Sequence, residues 1–478
     1  MSRVVERRGD RGFRRRQWPA WGIGLGILLL HLPALAAEVD WAAVEREATQ
    51  MLQSYIRIDT SNPPGNEIKA ARFLAEKFRK EGIETKVYEP KPGRGIVVAR
   101  LRGSGQARPI VLLNHLDVVP VKPAEWTYPP FAAEIHDGYV YGRGAIDCKG
   151  PGTIEAMALI LLKRSGIKLS RDVIFLGTGD EEVGGVYGAG WFVENHLAEL
   201  GNPEIVLNEG SFIDVEHGHK VYEVSASEKT PAWLRLTATG TPGHGSTPPQ
   251  ETAPKRLIEA LAKVIAYEAP LQVLPEVQQY YSTMAELESG AKAEAYRNLA
   301  AALQEPKLRA DFLADPIRAA LVRTTITPTV LQGSNKTNVI PREASAELDC
   351  RLLPGQDPQA LVKTIEGVVA DPNVKVEMIL NFPPSASPVD NPLFAAIGTV
   401  ARAEGAVVVP KMLRGFTDCH FFRARGIPSY GFIPFEIPEE DDRRMHGVDE
   451  RVSVANLRDG TRRMMAILRA LDEPDSRP

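Results

Sequence analysis

Apolar positions along the chain recur at two spacings, and the spacing changes with position. In "VDWAAVEREATQMLQSYIRI" and "NEIKAARFLAEKFRKEG" they fall three and four residues apart, so Ile68, Ala71, Leu74 and Phe78 share one face of an expected helix. The intervening "TSNPPGNE" is loop chemistry. Continuous apolar runs follow in "GIVVARL" and "PIVLLNHLDVV", after the strand-like "TKVYE". The helix "GTIEAMALILLKRSG" precedes the strand "RDVIFLGTG", and the helix "GAGWFVENHLAEL" precedes "EIVLNEG". Unbroken apolar strands alternating with helices predict an α/β fold with a mostly parallel sheet covered on both faces.

Near residue 228 the pattern switches to alternation, as in "AWLRLTATGT", which suits a half-exposed antiparallel strand. The helix "APKRLIEALAKVIAYE", a helix-leaning stretch over 270–323, and "TTITPTVLQG", "EASAELDCRLL", "PQALVKTIEGVVA" and "VKVEMILN" complete a β-α-β-β-α-β order. "NFPPSASPVDNP" reads as a hinge back. The expected organisation is a first α/β part over 37–227, an inserted α+β domain over 228–386, and a return to the α/β part over 387–478.

Composition changes this picture only at the start. Residues 1–18 carry seven arginines against Glu6 and Asp10, and "WGIGLGILLLHLPALA" follows, ending in a small-x-small pattern at Ala34-Leu35-Ala36. That is the layout of a secretory signal over residues 1–36, so the chain is expected to be exported to the periplasm or beyond. A retained N-terminal anchor is the alternative, although Gly, His31 and Pro33 interrupt the run. The formal charge of −4 falls to about −9 without that segment, which argues against a nucleic-acid partner. Cys148, Cys350 and Cys419 do not make a disulfide framework; one pair with a free thiol stays open.

The chemistry lies at strand ends. His115 and Asp117 close "VLLNHLD" two residues apart on one face, where the acid can hydrogen-bond the imidazole while the other ring nitrogen meets a metal. Asp147 in "YGRGAIDCKG" reads alone as a helix cap, Glu209 in "VLNEGS" as a loop acid, and His446 in "RRMHGVDE" as a loop histidine. The segment "TGDEEVGG" sets Asp180, Glu181 and Glu182 side by side after a buried strand, and such a cluster needs neutralising or solvating. The conjunction decides: several strand-end segments deliver ligand-type residues to one sheet edge, where such folds place their sites. Two histidines with carboxylates suit zinc, and a bridging carboxylate suits two ions. Adjacent side chains cannot easily reach one ion, so Glu182 as ligand leaves Glu181 free to take a proton from water.

The segments "NHLDVVP", "WTYPPF", "YGRGAIDCKG", "GDEEVGG", "NEG", "TPGHGSTP", "NVIP", "ELDCRLLPG", "FTDCHFF" and "MHGVDE" together resemble the aminoacylase, carboxypeptidase G and carboxypeptidase S family of two-zinc metallohydrolases, in family order across the chain after residue 36. The resemblance implies His115, Asp147, Glu182, Glu209 and His446 as metal ligands, with Asp147 bridging. It implies Asp117 as the residue orienting His115, and Glu181 as general base. It implies a cis peptide after Asp147 and an inserted domain serving as lid and homodimer interface. His244 would reach the partner subunit's active site, and Asn338 and Arg351 would hold a substrate carboxylate. The implied cofactors are two Zn²⁺, with Co²⁺ or Mn²⁺ as substitutes. The implied reaction is hydrolysis, by water bridging the ions, of an amide in a small peptide or N-acyl amino acid. The alternatives are a synthase/hydrolase working in both directions and a non-catalytic binder of metal or peptide.

Two departures stand out. The family loop often reads G-G-T-D, whereas here Phe416 occupies the second position, where it is expected to narrow or line the substrate pocket. The 270–323 stretch is long and resembles the carboxypeptidase S-like branch. His217 and His219 match no ligand position and are expected at the surface.

Overall fold

The central strands are buried at every position because both of their faces are covered. Across the large nine-stranded sheet the path runs Glu84–Lys91, Arg94–Leu101, Val173–Thr178, Ile110–His115, Ile205–Asn208, Ser429–Gly431, His219–Glu228 and Val407–Leu413, with Ile213–Glu216 pairing on His219–Glu228. The run from Val173–Thr178 through Ser429–Gly431 is parallel. Within it Ile110, Leu112, Phe175 and Leu207 enter one core, while Val111, Leu113, Ile174, Leu176 and Val206 enter the other. Helices Trp41–Ile56, Glu67–Lys80, Lys149–Ser165 and Val454–Ala470 fill the first core; Trp191–His196 and Cys419–Arg423 fill the second. Ile68, Ala71, Leu74 and Phe78 are all buried, as their spacing predicts. This computed structural model describes residues 39–383 and 386–472, so the signal-like segment 1–36 lies outside the described residues. Among them no helix is long and apolar enough to cross a membrane.

The second sheet is antiparallel, in the order Thr325–Gln332, Glu343–Leu352, Thr230–Thr239, Val374–Asn381. Alternation in Glu343–Leu352 sends Ala344, Ala346, Leu348, Cys350 and Leu352 inward, against helices Ala253–Ala266 and Pro358–Val369. Thr252 and Asp357 cap those helices through their side-chain oxygens. The β-α-β-β-α-β order is present. The 270–323 stretch folds into short helices from Pro275 to Leu321 that dock elsewhere. Their apolar residues Val277, Tyr281, Met284 and Leu299 meet Val221, Val409 and Met412 at the edge of the large sheet. His217 and His219 lie at an exposed hairpin turn, His217 paired with Glu288 at 3.2 Å. All three cysteines are free and buried.

Candidate active site

Parallel strands deliver their C-terminal ends to one edge, and the polar residues gather there. His115 ends Ile110–His115, Glu209 follows Ile205–Asn208, and Glu181 and Glu182 follow Val173–Thr178. Asp147 sits in the turn before Lys149–Ser165, where its peptide bond to Cys148 is cis. His446 comes from a loop in the C-terminal segment, with a left-handed backbone at φ 58°.

These side chains form two groups that share Asp147. His115 Nε2 lies 2.7 Å from Asp147 Oδ1 and 3.4 Å from Glu209 Oε2. His446 Nε2 lies 3.0 Å from Asp147 Oδ2 and 3.3 Å from Glu182 Oε2. Each Asp147 oxygen therefore faces a different histidine. Donor atoms within each group lie within 4.8 Å of one another. A tetrahedral zinc ion, with bonds near 2.0–2.2 Å, spaces its donors about 3.3 Å apart. Among the described residues the buried Glu182 Oε1 has no partner, as expected of a carboxylate oxygen left for an ion. The residues fit two divalent cations. Cys148 joins the His115 group through its buried sulfur, a proximity the sequence reading missed.

Glu181 belongs to neither group, and the turn that carries it is tightly held. Asp180, Gly184 and Gly185 all take left-handed backbone, at φ 75°, 107° and 68°. A Cβ on Gly185 would stand 2.3 Å from Asp418 Oδ1, so glycine is required there by contact as well as by φ. Asp180, first of the three acids, is structural: its carboxylate pairs with Arg94 at 3.2 Å and accepts from Tyr187 N–H at 2.9 Å.

Asp117 meets His115 and also holds the acid turn. The nearest acceptor to His115 Nδ1 is the backbone carbonyl of Asp117, at 3.1 Å, and the carboxylate stands off at 3.6 Å. That carboxylate is engaged by three donors: Asn62 Nδ2 at 2.8 Å and the Glu181 and Glu182 N–H groups at 3.1 Å each. The carbonyl sets the imidazole, and the carboxylate anchors the acid turn. Glu450, another residue the sequence reading passed over, accepts from Arg143 Nη1 at 2.6 Å and from the N–H groups of Gly144, Ile146 and Asp147 at 3.0, 2.7 and 3.0 Å. It cradles the loop that presents Asp147. Its only local signal was an acid inside "MHGVDE".

Without cations the cluster stores protons. Burial, reinforced by Asp147, raises the Glu182 carboxyl to about 7, and burial pushes Glu181 and Glu209 upward too. Hydrogen bonds to Asp147 and Glu182 raise His446 to about 10. Asp147 moves the other way: burial opposes its charge, but His115 and His446 hold its carboxyl well below the usual range. Cations entering at about pH 6.5 must displace protons from Glu182 and His446, because ligation needs both deprotonated. Calorimetric zinc titrations of the chelator-treated chain, in buffers of different ionisation enthalpy, are expected to show net proton release. Heats that do not change with buffer would contradict this.

Of the remaining expected site residues, Arg351 lies on the second sheet, and His244 and Asn338 lie at a separate two-stranded ribbon, Gly243–His244 with Val339–Ile340. His244 is exposed, on a two-residue strand paired with Val339, and Asn338 is exposed beside it, accepting from Gly245 N–H at 2.9 Å. Ser246 N–H donates to His244 Nδ1 at 3.1 Å, so in the neutral ring the proton sits on Nε2. Among the described residues no hydrogen bond or ion pair joins His244 or Asn338 to the two donor groups. Arg351 is held by Asp349, Nε to Oδ1 at 2.7 Å and Nη2 to Oδ2 at 3.2 Å, and lies over the rings of Trp233 and Phe416.

Known proteins share this arrangement of chain and fold. Residues 111–470 match the family described as Peptidase family M20/M25/M40. The chain is 29% identical to aminoacylase-1 of Mus musculus over 82% of its own length and 87% of the relative. It is 33% identical to the N-fatty-acyl-amino acid synthase/hydrolase PM20D1 of Xenopus tropicalis, over 72% of its length and 69% of that protein. The M20 family metallo-carboxypeptidase Sso-CP2 from Sulfolobus solfataricus has a similar fold, with TM-score 0.68 and 20% identity, covering 89% of this chain and 99% of that one. The chain thus belongs to peptidase family M20/M25/M40, a family of amide-bond hydrolases that embraces aminoacylases and carboxypeptidases.

Proposed function

We propose that the chain hydrolyses the amide bond of a small peptide or N-acyl amino acid bearing a free carboxylate, with two divalent cations, preferably zinc, at the shared Asp147. One observation carries the reading: the two oxygens of Asp147 face two separate donor groups, and Glu181 stands outside both. His115, Asp147 and Glu209 would hold one ion, and Asp147, Glu182 and His446 the other. When bound, the ions would supply Lewis acidity, polarising the scissile carbonyl and acidifying water. Glu181 takes the proton of the attacking water and passes it to the leaving nitrogen. Asp117 and Asn62 keep its turn in place. Arg351, a planar two-pronged donor, binds the substrate carboxylate together with Asn338. Export after cleavage of residues 1–36 completes this reading.

His244 acts on the oxyanion of a neighbouring subunit in this proposal. His244 is exposed, and the second sheet with its helix layer exposes Ile258 and Ile265 (67% and 68% accessible) and Leu331 (68%). That apolar surface supports a homodimer through the second sheet. Mixing inactive His244→Ala and Glu181→Gln chains is expected to restore activity, because mixed dimers contain one site with Glu181 and a partner's His244. Random mixing predicts recovery of about a quarter of wild-type activity. No recovery, with mixed dimers demonstrated, would mean that His244 serves the site of its own subunit.

The overall reading is tested by amino-acid release from a panel of dipeptides and N-acyl amino acids, with zinc and after chelation. Chelation-sensitive release supports it, and the fastest substrate separates dipeptidase from acylase. Tight binding without turnover, with zinc verified, would make the chain a binder instead. The similarity to a synthase/hydrolase favours a second reading in which condensation also proceeds. Approach to the same product ratio from free amino acid plus acyl donor is the result that supports it.

A further inference from the structure

The loop Gly415–Cys419 touches both ends of the proposed substrate path. At one end Asp418 Oδ2 accepts from Thr178 Oγ1 at 2.9 Å, at the root of the turn that carries Glu181. Two residues earlier, the half-buried Phe416 ring lies 5.5 Å from the Arg351 guanidinium. In the proposed reading, a substrate with its carboxylate on Arg351 and its amide at Asp147 would have this loop beside its α-substituent.

The surroundings of Phe416 are aromatic. The Phe382 ring meets it edge-on, with centroids 5.0 Å apart at 77°, and stacks on His420 at 4.0 Å and 9°. The Trp233 ring also lies 5.9 Å from the Arg351 guanidinium. His420 adds no charge: burial lowers its pKa, and its Nδ1 faces the Thr417 carbonyl at 2.8 Å. Thr417 is turned away, its hydroxyl donating to the buried Glu228 at 2.7 Å. Apart from Arg351, which Asp349 already orients, the wall offers a substrate side chain ring surface rather than hydrogen bonds.

We infer that Phe416, backed by Phe382 and Trp233, forms the specificity pocket for the amino-acid side chain, and that the chain selects substrates whose carboxylate-bearing residue has a large apolar, aromatic or branched side chain. This rests on the hydrolase reading and names the substrate class for it. Glycine at this position would present only loop backbone, so the Phe416 ring supplies contact area that a glycine loop lacks. Removing uniform binding of this kind raises KM and leaves kcat nearly unchanged.

The test compares N-acetyl-L-phenylalanine with N-acetyl-L-alanine on the zinc-loaded full chain, for the wild type, Phe416→Gly and Phe416→Leu. Wild type is expected to prefer the phenylalanine compound by about 10- to 200-fold in kcat/KM, the range apolar pockets achieve. Phe416→Gly should bring the ratio to within about threefold through KM, and Phe416→Leu should keep most of it. The same two compounds are titrated calorimetrically into Glu181→Gln and Glu181→Gln/Phe416→Gly chains. Binding selectivity is thereby read without turnover, and failure of the hydrolase reading leaves the pocket testable. An unchanged preference in Phe416→Gly, or none in the wild type, overturns the inference. So does faster or tighter handling of the phenylalanine compound by Phe416→Gly, which would make Phe416 a barrier.

Discussion

Glu181→Gln is expected to lower kcat by about 10²–10⁴-fold, the usual range for a lost general base, while zinc content stays at the wild-type level. The substitution keeps size and polarity but removes the ability to accept a proton. The turn should survive it, because Asp117 holds residues 181 and 182 by their backbone N–H groups, which the variant retains. Glu181 also stands outside both donor groups, so the ligands of neither are disturbed. Metal analysis of the purified variant beside steady-state kinetics checks the prediction. Lost zinc would reassign Glu181 as a ligand; kcat within threefold of wild type would move proton transfer to another group.

Asp147→Asn should be more severe and fail in a different way. The amide retains one oxygen in place of two, so one of the groups loses the donor through which it is joined to the other. It also leaves His115, Glu209, Glu182 and His446 without the charge that organises them. Bound zinc per chain is expected to drop by at least half, and turnover to fall below that of Glu181→Gln. A cation present at 100 times its dissociation constant stabilises a fold by about 2.7 kcal/mol, so the zinc-dependent rise in Tm should shrink as well. Full zinc content and an unchanged Tm response would show that Asp147 is not shared.

Much of this was readable in the sequence because of where the site lies. A parallel strand covered on both faces is a run of apolar residues, and its end is marked by the first polar ones. His115, Glu182 and Glu209 each stand at such a transition, and the spacing of the runs points to one sheet edge. What the sequence conceals is the partner of a polar group whose contacts are distant or made through backbone. Asp117 near His115 invites a carboxylate–imidazole pair, which stands at 3.6 Å, but the sequence gives no sign that the same carboxylate also accepts from N–H groups of a turn 64 residues away. Glu450 meets the Asp147 N–H across 303 residues, with no pattern local to either to announce it. The helical stretch after residue 270 shows a face to be buried but not what buries it, and that face turned out to be the edge of the large sheet.

The strand order carries a consequence for how the protein is made. Ser429–Gly431 lies between Ile205–Asn208 and His219–Glu228, although more than 180 residues, including the whole second sheet, are synthesised after the neighbours it joins. Until that segment leaves the ribosome, the large sheet has an open slot with unpaired edges on either side. Such edges recruit other strands, and chains held in that condition aggregate. A chain stopped before residue 429 is therefore expected to be insoluble or chaperone-bound, which fractionation of truncated products would reveal. His446 and Glu450 emerge later still, so the Asp147–Glu182–His446 group is complete only in the finished polypeptide.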